Sequence, residues 1–186
     1  MRHNVIATAN ACGESANPAD SPQALAHLRA DELRCATDTL GIADLMLDYP
    51  DGGADRWDMA ALAGQLTKHI RSIRPDVVVA HDDQGITRHP DHIALHSAVR
   101  MALDGPADRL GVQRLFYQVI TCPEEASPEE PTFACIAPNA VDVTVDIAAF
   151  EPVKCAAQHC HRTQAADTAH MLDRPAAGCD DLLTGL

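Results

Sequence analysis

Two periods alternate along this chain. Short apolar runs such as Val5-Ile6-Ala7 and Val77-Val78-Val79-Ala80 have strand length. Between them, apolar residues return every three or four positions, the helical period. Asn4–Ala9 is predicted as a strand. Ser21 then offers an N-cap and Pro22 a first helical residue, with Leu25, Leu28, Leu33, Ala36 and Leu40 forming one stripe and Gly41 closing the helix. Ala43–Asp48 is the next strand, ended by the turn Pro50-Asp51-Gly52-Gly53. A second helix places Met59, Leu62, Ala63, Leu66, Ile70 and Ile73 on one face and stops at Pro75. Strand Val77–Ala80, a His-containing loop, helix His92–Leu103 and strand Leu115–Ile120 follow. Thr121–Pro138 is acidic and Pro-containing, a loop or flap; Val141–Ile147 alternates like a strand with one wet face, and Glu151–Ala169 reads as a last helix. Strands alternating with helices predict an α/β fold, a Rossmann-like, mostly parallel sheet flanked by helices. We expect a single domain over residues 1–170 and a tail over 171–186.

Composition narrows the partners. Aromatic residues are only 3% of the 186, so the core must be built from Ala, Leu, Val and Ile. The formal charge of −13 repels phosphate backbones and argues against nucleic acid. The basic residues form no stripe, which disfavours polyanionic substrates and leaves a neutral sugar compatible. No apolar run has the length of a membrane span, and the first apolar stretch is broken by Thr8 and Asn10, unlike a signal peptide. The seven cysteines include no Cys-x-x-Cys pair, so we expect reduced, mostly buried thiols and a cytoplasmic location.

Candidate chemistry concentrates in His89-Pro90-Asp91-His92. In an open parallel sheet, ligands bind beyond the carboxyl ends of the strands. Here two imidazoles and a carboxylate follow such a strand end. Imidazole is the commonest protein metal ligand and general acid–base group. Pro90 biases His89 away from helix, and Asp91 suits a helix N-terminus. The bland alternative is a His-rich loop capping a helix.

The segment from Val77 through Gly85 and His89-Pro90-Asp91-His92 to Ala102 resembles the second signature of the LmbE/PIG-L family of metal-dependent N-deacetylases. Four more blocks fit in the same order: Val5-Ile6-Ala7-Thr8 with Gly13-Glu14; Arg29 to Leu33 with Leu40-Gly41; Leu47 to Gly53; and Lys154 to Gln164 with His161 and Thr163. The resemblance implies Zn²⁺, a small-molecule amino-sugar substrate and removal of an N-acetyl group. His92 would be a metal ligand. His89 would stabilise the tetrahedral oxyanion, and Asp91 would orient a neighbouring imidazole. Glu14, Arg29 and Asp51 would contact the sugar and line one crevice with His92. The family's first signature, His-Pro-Asp-Asp, supplies two further ligands and the general base, and is absent from this chain. The corresponding strand–helix unit would be about 30 residues. One His cannot hold Zn²⁺, since catalytic sites use three protein ligands; bound zinc is therefore expected to be weak. The alternative is an inactive or truncated homologue acting as a binding module. The substrate aglycone is not readable, nor the oligomeric state, homo-oligomer included.

Two other clusters compete. Cys155, His159, Cys160 and His161 lie close in sequence, but four ligands on one helix do not converge into a tetrahedron. His81, Asp82 and Asp83 sit at the same strand end as His92 and could replace missing ligands. No Gly-x-Gly-x-x-Gly, P-loop, Gly-x-Ser-x-Gly or His-Glu-x-x-His pattern occurs, which argues against nucleotide binding, serine hydrolysis and zincin chemistry.

Overall fold

A computed structural model describes residues 2–8, 21–104, 110–122 and 134–165. The chain divides into two compact units, Met1–Asp51 with Val145–Leu186, and Gly52–Thr144.

In the first unit, β1 (His3–Thr8) pairs in parallel with β2 (Ala43–Tyr49), His3 opposite Ala43 and Ile6 opposite Met46. Helix α1 (Pro22–Leu40) joins them. Its ends are those the sequence announces. Ser21 accepts from Ala24 N–H through its hydroxyl at 3.2 Å, and Gly41 closes the helix at φ 61°. The buried face differs from the predicted stripe. It comprises Leu25, Arg29, Glu32, Leu33, Ala36 and Thr37, whereas Leu28 and Leu40 are exposed. Two charged residues thus occupy positions on the helix's inner side.

What they meet explains this. Helix α5 (Glu151–Gln158) is shorter than predicted; it ends in a turn at His159, and a 3₁₀ turn follows at Arg162–Gln164. That turn folds onto α1, where both carboxylate oxygens of Glu32 accept from Thr163, its N–H at 2.7 Å and its hydroxyl at 2.8 Å. A buried carboxylate is tolerated when it is fully hydrogen-bonded. Glu32→Ala would strip both bonds and leave the Thr163 N–H without its acceptor. We expect it to destabilise the chain by about 2–3 kcal/mol, read as a lowered denaturant midpoint.

The second unit contains α2 (Met59–Ile73), started by Asp58, whose carboxylate accepts from Ala61 N–H at 2.9 Å. It buries Leu62, Ala63, Leu66 and Ile70, all from the predicted stripe, and ends through left-handed Arg74 before Pro75. Strand β3 (Val77–His81) pairs in parallel with β4 (Arg114–Gln118), Val77 opposite Arg114. The single turn α3 (Gly85–Arg88), broken by non-helical backbone at Ile86, leads into α4 (Pro90–Leu103), which packs on α2 and β3 through a face that includes Ala98, Val99 and Ala102. A third parallel pair joins β5 (Ile120–Thr121) to β6 (Cys135–Ile136). Every described strand pair is therefore parallel, in an α/β arrangement.

Two expectations are corrected. Val141–Ile147 forms no strand, although its pattern alternates: Val143, Val145 and Ile147 are 53%, 71% and 44% exposed. Alternation makes a strand only where a ladder partner receives its backbone bonds. The described cysteines are not reduced thiols either. Cys35–Cys160 and Cys122–Cys135 are disulfides, with Cα separations of 5.7 and 4.9 Å, and Cys155 is disulfide-bonded as well. Cys35 and Cys160, 125 residues apart in sequence, are brought together only by the fold. The cysteine argument for a cytoplasmic location falls with this. No helix among the described residues is long and apolar enough to cross a membrane.

Candidate functional site

The loop after β3 is built around a strained turn. The buried Asp82 accepts from Ile86 N–H through its carboxylate at 3.0 Å and from Gly85 N–H through its carbonyl at 3.1 Å. Gly85, Ile86 and Arg88 all have positive φ, 64°, 60° and 58°. For a β-branched residue such as Ile86 this is an outlier, and such strain persists where the surroundings over-determine it. Here it turns the Gly85 carbonyl onto the His92 ring, 3.0 Å from Nδ1.

That contact decides the chemistry of His92. A carbonyl oxygen can only accept, so in the neutral ring Nδ1 carries the proton, with the Thr87 hydroxyl 3.3 Å away as a second acceptor, and Nε2 keeps its lone pair. A metal-ligating His is held in the same way, by a hydrogen bond at its other nitrogen. His89 is set oppositely. It caps α4, with Nδ1 accepting from Asp91 N–H at 3.2 Å, so in the neutral ring Nε2 carries the proton as a donor. His89 thus takes the N-cap position, because Pro90 at the first helical position leaves the residue before it extended, at φ −69° and ψ 130°. The two rings lie 5.2 Å apart, one presenting a lone pair and the other a proton.

Asp91 is buried and its carboxylate is engaged with backbone: Gly52 N–H at 2.8 Å and Ala54 N–H at 3.1 Å. It pins the Gly52–Ala54 loop and still lends the helix N-terminus a negative charge. His81 stacks on His92 at 4.4 Å with planes 6° apart, and its Nδ1 is buried with no hydrogen-bond partner among the described residues. Burial first, and the neighbouring His92 second, hold the His81 pKa below the usual imidazole value, against the pull of Asp82. His96 Nδ1 donates to the His81 carbonyl at 2.9 Å.

Zinc, which the family resemblance implies, needs several converging ligands. Among the described residues, no three His, Cys, Asp or Glu side chains form such a group. His92 has the tautomer of a ligand. His81 cannot join it on one ion in this arrangement, because imidazoles ligate in the ring plane and these two planes are stacked. Asp82 is occupied by its turn, and Cys155 and Cys160 are locked in disulfides, so neither rival cluster is assembled. The described residues do not complete a zinc site.

The first unit holds the other candidates. Arg29 is 5% exposed and lines a cavity of about 140 Å³. Ile6, Leu33 and Met46 give that cavity an apolar lining; Thr8, Arg29, His161 and Gln164 give it polar groups. The Thr8 hydroxyl donates to Asp51 at 3.3 Å, so Asp51 sits one hydrogen bond from the cavity wall. Arg29 Nε donates to the Thr163 hydroxyl at 3.4 Å. Arg29 and Asp51 thus belong with the first unit, and His89, Asp91 and His92 with the second. Glu14 lies outside the described residues. Sequence reasoning missed Thr8, Met46 and His161 as cavity residues. The strand-end position of Thr8 was the available signal, and the late His-x-Thr-Gln block was another.

Comparison with known proteins adds a second line of argument. The PIG-L family profile, described as GlcNAc-PI de-N-acetylase, matches residues 2–103. The chain is 30% identical over 177 residues to a 1D-myo-inositol 2-acetamido-2-deoxy-alpha-D-glucopyranoside deacetylase of Mycolicibacterium vanbaalenii, covering 73% of this chain and 61% of that protein. It is 35% identical over 143 residues to a deacetylase of the same description from Catenulispora acidiphila, covering 66% and 39%. The chain therefore spans less than two thirds of these relatives' length. Among solved structures, a conserved protein of Thermus thermophilus superposes with a TM-score of 0.61 at 25% identity, covering 87% of this chain and 66% of that one. The N,N'-diacetylchitobiose deacetylase of Pyrococcus horikoshii matches with a TM-score of 0.61 at 21% identity, covering 87% and 59%, and supports the fold alone.

Proposed function

The chain belongs to the PIG-L/LmbE family, and from that premise we propose that it is the greater part of a metal-dependent N-deacetylase acting on an N-acetylglucosamine-type small molecule. Its parallel pairs would be parts of a Rossmann-like sheet. The observation that carries the reading is the opposed pair of tautomers at His89 and His92, held by the helix cap and by the Gly85 carbonyl. Both relatives quoted above are deacetylases of a 2-acetamido sugar, which gives the reaction class.

In such a hydrolysis, water adds to the acetamide carbonyl, the carbonyl oxygen becomes an oxyanion, and the carbon–nitrogen bond breaks to release amine and acetate. His89 would donate from Nε2 to the developing oxyanion, a charge present only along the reaction path. Asp91 would keep the His89–His92 turn and the Gly52–Ala54 loop in fixed geometry. Arg29, Asp51 and Glu14 would hold sugar hydroxyls. The described residues do not complete a metal site, so water activation is not assigned to any of them.

The test is metal analysis and an amine-release assay with an N-acetylglucosamine derivative. It is run on this chain and on a version extended by the His-Pro-Asp-Asp strand–helix segment of a relative. The chain alone is expected to bind zinc weakly and turn over poorly; the extended form should bind it tightly and turn over. In the extended form His92→Ala should lose zinc, and His89→Ala should lower kcat by about 100- to 1000-fold with zinc retained. Sugar binding without turnover in the extended form would replace the enzyme with a binding module. Undiminished turnover in His89→Ala would remove the role given to that residue.

A further inference from the structure

The cavity of the first unit has two walls from distant parts of the chain, and the Cys35–Cys160 disulfide joins them. Arg29 and Leu33 come from α1, His161 and Gln164 from the turn after α5. Cys35, two residues beyond Leu33, is bonded to Cys160, the residue before His161. Beyond this bond, Thr163 ties the turn to α1 through its hydrogen bonds to Glu32 and Arg29. The two cysteines differ in access: Cys35 is an exposed residue, whereas Cys160 is 8% exposed.

We propose that Cys35–Cys160 is a thiol-exchange site for low-molecular-weight thiols, and that its reduction loosens one wall of this cavity and weakens ligand binding there. Only the identity of the ligand rests on the sugar reading above. Exchange requires a thiolate to reach a sulfur, and access selects which one. The thiolate attacks Cys35 Sγ, forming a mixed disulfide on Cys35; the Cys35–Cys160 bond breaks and Cys160 leaves with the electron pair, taking a proton from water. A second thiol, as its thiolate, attacks the small thiol's sulfur in the mixed disulfide, and Cys35 leaves and is protonated. Overall, two thiols are oxidised to one small disulfide while the protein disulfide gains two electrons and two protons.

The reduced state has a place to go. Cys160 Sγ lies 3.8 Å from both the Thr39 hydroxyl and the Ala156 carbonyl, so a thiol there finds acceptors. The Glu32 carboxylate still holds Thr163, so reduction of Cys35–Cys160 removes that covalent tether between the turn and α1 and leaves the hydrogen-bonded one. A wall held by both tethers is pre-organised for a ligand, and one held by hydrogen bonds alone must be ordered on binding. Cys122–Cys135 closes only a short span between β5 and β6 in the second unit, and serves as the control bond.

The full chain is treated with glutathione, quenched in acid and mapped by peptide mass. In parallel, Cys35→Ser/Cys160→Ser and Cys122→Ser/Cys135→Ser are compared with the parent by amide hydrogen exchange and by titration with N-acetylglucosamine. We expect the mixed disulfide on Cys35, exchange of residues 159–165 faster by about tenfold in the first variant only, and sugar binding weaker by about fivefold in that variant. Circular dichroism checks that each variant folds. Glutathione appearing on Cys160 instead, or exchange equal in parent and first variant, overturns the proposal. Equal sugar binding despite faster exchange overturns the coupling to the cavity. If the oxidised parent binds no N-acetylglucosamine, the sugar reading fails, while mapping and exchange still decide the thiol-exchange site and its tethering of the turn.

Discussion

Gly85→Ala is expected to destabilise the chain by about 3 kcal/mol or more and to displace His92, two effects with one cause. Gly85 sits at φ 64°, where an L-residue costs about 1 kcal/mol. The steric part is larger. A Cβ there would lie 2.8 Å from His92 Cβ and 3.0 Å from the backbone nitrogen of Ile93. Backbone in the first turns of α4 cannot rotate away as a long side chain can, so the turn or the helix must move. Gly41 provides the control. Its φ is 61°, yet nothing lies within 4 Å of an added Cβ. Gly41→Ala should therefore cost only about 1 kcal/mol. Urea melts of the two variants give the comparison, and the imidazole proton signals of His92 report its movement. Equal costs at both positions would show that the close approach of this turn to α4 is not tight in solution.

Asp91→Ala should be similarly severe, about 3 kcal/mol, because removing a buried charge that accepts from two backbone N–H groups would leave both unpaired. The magnitude distinguishes two roles. An acidic residue that only complements a helix N-terminus contributes about 0.3–1 kcal/mol. One that ties Gly52 and Ala54 to α4 contributes several times that. His89 continues to cap the helix in the variant, so loss of the cap does not confound the measurement. A denaturant midpoint barely changed from the parent would reduce Asp91 to a dipole partner. Amide exchange at Gly52 and Ala54 should accelerate with the loss of stability, since their acceptor is the carboxylate itself.

Legibility in the sequence follows the range of the interaction involved. The limits of α1 and α2 depend on neighbours a few positions away: Ser21 and Asp58 as caps, Gly41 for a left-handed close, Pro75 as a stop. Ser21, Gly41 and Pro75 were readable as such, and so was the extended backbone of His89 before Pro90. The ordered blocks around Val77, Arg29 and Lys154 carried the family, because they preserve residue type and spacing. What sequence could not supply depends on partners far along the chain. Val141–Ile147 has a strand's alternation, yet the ladder that would make it one is a matter of tertiary pairing. Arg29 and Glu32 are buried because Thr163 comes back across α1, and Cys35 is oxidised because Cys160 arrives with it. The residue types at His89 and His92 were plain in the sequence, whereas their protonation was not. Which nitrogen holds the proton is decided by a carbonyl seven residues before His92 and by the N–H two residues after His89, and only the folded turn puts those groups within reach.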